Sequence, residues 1–126
     1  MAVTVSATAQ PIEYKVVAVT DADTGGGTYP GYPNLGGASA TIYTVDIDNS
    51  AVGAVTYILF YDIKTVVVGT TIPVMTLMAP ASTRMVYNIP SGLTFSTALS
   101  LGGCTAGGTG NTTDPGSAVP VRITFK

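Results

Sequence analysis

The stretch SATIYTVDID, residues 39–48, decides how this chain is read. In an extended conformation Tyr43, Val45 and Ile47 share one side and Thr44, Asp46 and Asp48 the other. Successive side chains of a strand point to opposite faces, so such alternation marks a half-buried strand. The same period recurs on either side of it. In residues 13–20 (EYKVVAVT), Glu13 and Lys15 alternate with Tyr14 and Val16. In residues 93–101 (LTFSTALSL), Leu93, Phe95, Leu99 and Leu101 line one side, with Thr94, Ser96 and Ser100 opposite. At the far end Val119, Val121, Ile123 and Phe125 alternate with Pro120, Arg122, Thr124 and Lys126.

Three further segments complete the pattern. Residues 54–62 (AVTYILFYD) are apolar on both faces, which predicts a central strand with one face in the core and the other against a partner or a loop. Residues 72–78 (IPVMTLM) read as a strand, and Pro73 places it at an edge or at a strand start. In residues 83–89 (TRMVYNI), Met85, Tyr87 and Ile89 share a face. Ile89-Pro90-Ser91-Gly92 has Pro and Gly where a type I turn wants them, which predicts a tight bend between two strands. Asp48-Asn49-Ser50 and Val52-Gly53 break the chain earlier, and residues 102–117 form a long loop of small residues. No segment carries an i, i+3, i+4 apolar stripe with caps, so no substantial helix is expected. The expected fold is all-β: an antiparallel β-sandwich of about seven short strands, immunoglobulin-like or jelly-roll-like, with an extended N-terminal arm. Residues 1–12 form that arm and residues 13–126 a single sandwich domain.

Composition bounds the chemistry. The 126 residues include no His, no Trp, one Cys, 15 Gly and 8 Pro, with 5 Lys+Arg against 7 Asp+Glu. Hydrolytic, redox and metal chemistry draws mostly on His, Cys or clustered carboxylates, so no enzymatic activity is expected. No cofactor and no metal site is expected either. The single Cys104 excludes an intrachain disulfide and suits a reducing compartment. Charged residues make up 10% of the chain and mean hydropathy is +0.43. Ordinary soluble proteins carry roughly 25% charged residues, so this surface is expected to be covered in use by sister copies or a partner. A net charge of −2 without a basic cluster argues against nucleic-acid binding. The opening MAVTVSATAQP has neither a basic n-region nor a long apolar run, which predicts no signal peptide. No stretch approaches the ~18 apolar residues of a membrane helix.

The candidate sites are contact surfaces. Residues 1–12 carry no charged side chain, and Val3 and Val5 favour a strand. They form either a loose tail or an arm that adds a strand to a neighbour's sheet. Residues 21–38 (DADTGGGTYPGYPNLGGA) are long for a loop in a compact domain. Tyr29 and Tyr32, with Asn34 and Leu35 beside them, are candidate protein contacts, because Tyr offers large contact area at low entropy cost. The bland alternative folds both tyrosines back to close one end of the domain. The pairs Asp21/Asp23 and Asp46/Asp48 place two carboxylates on one face, but they lack the ligand density of a calcium loop. Cys104, in GGCTAGG, reads as an unreactive thiol in a flexible loop. Met75, Met78 and Met85 read as core fillers.

Four pieces carry a resemblance: residues 57–62 (YILFYD), 68–73 (VGTTIP), 89–98 (IPSGLTFSTA) and 119–125 (VPVRITF). Together they resemble small β-sandwich virion structural proteins of tailed bacteriophages, over somewhat more than half the chain. Ala98 stands where that pattern often has Gly, and residues 1–50 show no such likeness. The resemblance implies a non-enzymatic virion protein assembled in the host cytoplasm. As a capsid cement (decoration) protein it would bridge and stabilise the shell of major capsid protein, with copies of itself, dimer or trimer, as further partners. The alternative it implies is a tail, fibre or baseplate component contacting the host surface, where a glycan would be the ligand.

Overall fold

A computed structural model of the chain describes residues 13–19, 39–67, 69–110, 115 and 119–125, with backbone alone for 13–19. Among them are seven strands: β1 (Glu13–Val19), β2 (Ala40–Asp48), β3 (Thr56–Asp62), β4 (Met75–Ala79), β5 (Arg84–Phe95), β6 (Leu99–Cys104) and β7 (Val119–Phe125). No described residue is helical. The strands form two antiparallel sheets, one in the order β1-β7-β2-β5 and the other β4-β3-β6. β1 and β2 flank β7 and run in the same direction, since each pairs antiparallel with it.

The alternation read from the sequence becomes the core. Ile42, Val45 and Ile47 of β2 and Val119, Val121, Ile123 and Phe125 of β7 belong to one buried cluster with Ile58 and Phe60 of β3 and Leu99 and Leu101 of β6. The cluster draws on both sheets. Phe60 and Phe95 meet there with ring centroids 6.4 Å apart in a tilted arrangement, a geometry aromatic pairs favour.

Four details differ from the sequence expectation. Tyr43 does not share the core face with Val45 and Ile47. β2 pairs β7 at Ile42↔Phe125 and then at Thr44↔Thr124, so one extra residue is accommodated at Tyr43. This bulge shifts the parity, and Ile42 joins the core in place of Tyr43. Residues 89–92 do not form a turn between strands either. β5 runs through them and bows away from β2, so that Ile42 faces Leu93 while Thr44 faces Asn88. Gly92 takes φ +77° under the Tyr43 ring, a conformation open to glycine at little cost.

The actual change of direction lies four residues later, where Asp62 gathers the chain. Its carboxylate accepts backbone N–H groups from Ser96 (3.0 Å), Thr97 (2.7 Å) and Ala98 (3.0 Å). Residues 93–101, expected as one strand, are thereby split between β5 and β6. Ser100, expected on a polar face, is buried and donates its hydroxyl to the Ile63 carbonyl at 2.6 Å.

Asn49 ties the connections together at the other end. It is fully buried, and its Nδ2 donates to the carbonyls of Ala54 (2.9 Å), Pro80 (2.9 Å) and Ala79 (3.3 Å). Its Oδ1 accepts the Thr56 hydroxyl at 2.8 Å. The sequence marked Asn49 only as a chain break. Both connections that cross between the sheets at this end are held by its one side chain.

Candidate functional site

The apolar side chains divide into three groups by what covers them. The first is the shared core. The second is a small cluster on the other face of β3, where Leu59 and Tyr61 bury against Val66 and Cys104. β3 is therefore apolar on both faces because the second face packs under a loop of its own chain. Burial pushes the Tyr61 hydroxyl up to about 12, with the Cys104 thiol adding in the same sense, so the phenol stays neutral. Cys104 is not in a flexible loop: it is the last residue of β6 and is buried.

The third group is uncovered and concentrates on two strands. Among the described strands, β4 and β5 each lie at the end of their sheet's order. They face each other across one side of the molecule, where the Tyr87 hydroxyl of β5 donates to the Met78 carbonyl of β4. Their inward side chains, Met75 and Leu77 on β4 and Met85, Tyr87, Ile89 and Leu93 on β5, pack against the core yet stay only partly buried. On the opposite faces of the same strands Met78 (40% exposed) and Val86 (55%) are open, as are Ile72 (78%) and Val74 (56%) just ahead of β4. Met78 is thus not a core filler, whereas Met75 and Met85 pack as expected. The other edge of the smaller sheet contrasts sharply, because all six residues of β6 are buried.

Charged groups near the seam are engaged locally. Arg84 grips Asp46 through both guanidinium arms, one of them Nε to Oδ1 at 2.8 Å. That hydrogen bond holds the Asp46 carboxyl below its ordinary value, against a smaller opposing effect of burial. Asp48 is lowered by hydrogen bonds from the Ser50 hydroxyl (2.5 Å) and backbone N–H (3.2 Å). Both carboxylates of this pair are thus committed to protein donors. Partial burial raises the Asp62 carboxyl, but the N–H groups of Ala98, Thr97 and Ser96 outweigh it and leave it lowered. Among the described residues no three His, Cys, Asp or Glu side chains converge on a point that could hold a metal ion. No helix among them is long and apolar enough to cross a membrane.

The expected contact residues Val3, Val5, Tyr29, Tyr32, Asn34 and Leu35, and the pair Asp21/Asp23, lie outside the described residues. The β4/β5 seam was not foreseen. Pro73 signalled an edge strand, but nothing in the sequence tells that β4 and β5 lie on the same side. Comparisons with protein-family models, curated proteins and solved structures found no match.

Proposed function

We propose that this chain is a non-enzymatic structural protein of a bacteriophage virion, a capsid cement (decoration) protein that bridges and stabilises the shell of major capsid protein. In this reading the two sheets form a rigid β-sandwich of the immunoglobulin-like or jelly-roll-like kind, with residues 1–12 as an arm. The observation that carries it is the exposed apolar seam on an all-β body with only 10% charged residues. Such a surface suits a protein whose neighbours are always present. The resemblance of four sequence pieces to small phage virion proteins supports the same reading. A cement protein needs stiffness and a contact surface repeated many times, so that weak contacts gain strength by multivalency. Closed self-association as a dimer or trimer fits that use.

The test is copy number per particle, by quantitative mass spectrometry of purified virions against the major capsid protein. Hundreds of copies, scaling with the shell, are expected. A few to a few dozen would move the protein to the tail, fibre or baseplate. Absence from the particle would overturn the virion role altogether.

A further inference from the structure

We draw no further inference here: the strongest candidate, the surface patch of apolar side chains Ile72, Val74 and Met78 left open on the outward face of β4 and just ahead of it, carries nothing because nothing in the structure shows what covers it.

Discussion

Replacing Asn49 is the sharpest probe of how the sheets are joined. Its Nδ2 serves three carbonyls and its Oδ1 one hydroxyl, all from a fully buried position. A net hydrogen bond is worth about 1 kcal/mol, and a buried group left without a partner costs about 1–3 kcal/mol. Three of the four contacts are 2.9 Å or shorter, and the buried Ala79 carbonyl has the least access to replacement water. Asn49→Ala is therefore expected to cost about 3–4 kcal/mol. With an unfolding entropy of about 2.1 cal/mol/K per residue, that lowers Tm by roughly 10–15 °C. Asn49→Asp conserves shape but turns a donor into an acceptor facing three carbonyls. Burial and those carbonyls raise the pKa of the new carboxyl in the folded state. Its penalty is then largest at neutral pH and shrinks as pH falls through that raised value, where the folded-state group protonates and can donate again, towards the unfolded value of about 3.9. Calorimetry of both variants between pH 3.5 and 7 is the assay. An Asn49→Ala variant within about 0.5 kcal/mol of the parent, or an Asn49→Asp deficit that does not narrow in acid, would refute this account of the joint.

Other outcomes follow from named residues. Gly92→Ala places a Cβ 2.6 Å from Thr41 Cγ2 at φ +77° and should cost about 2–3 kcal/mol in urea unfolding. Adding Thr41→Ser removes that methyl and should recover part of the loss, leaving the backbone strain. Asp62→Ala frees the N–H groups of residues 96–98 and should cost about 1–2 kcal/mol, seen first as faster amide exchange at Ala98. Asp46, Asp48 and Asp62 are all lowered from 3.8, so the stability they contribute is complete above that value and is lost as pH falls through their folded-state values. With no His in the chain, stability should be flat between about pH 5 and 8. Cys104 is buried, so a thiol reagent should modify the native protein at least tenfold more slowly than the unfolded chain.

Strand existence was legible because period two is a local property. β1 forms over Glu13–Val19, where a strand was expected, and Val119–Phe125 matches its sequence alternation residue for residue. So does the double-sided burial of β3, whose apolar run from Tyr57 to Tyr61 could only be central. The bulge at Tyr43 was not legible, because it arises from the register β2 keeps with two neighbours at once. The bend at residues 96–98 was missed for a similar reason: its cause is Asp62, more than thirty residues away in the chain. Ile89-Pro90-Ser91-Gly92 has good local turn chemistry, yet pairing with β2 on both sides of it keeps the chain running in one direction.

The sequence by itself determined the class of structure, the strands, and the absence of His and clustered acids on which most catalysis would depend. Those are consequences of what each residue is and of its near neighbours in the chain. Only the tertiary structure decided that β4 and β5 lie side by side with their inner faces half open. That seam depends on which edge of each sheet meets the other, and edges are set by long-range pairing, which no local pattern encodes.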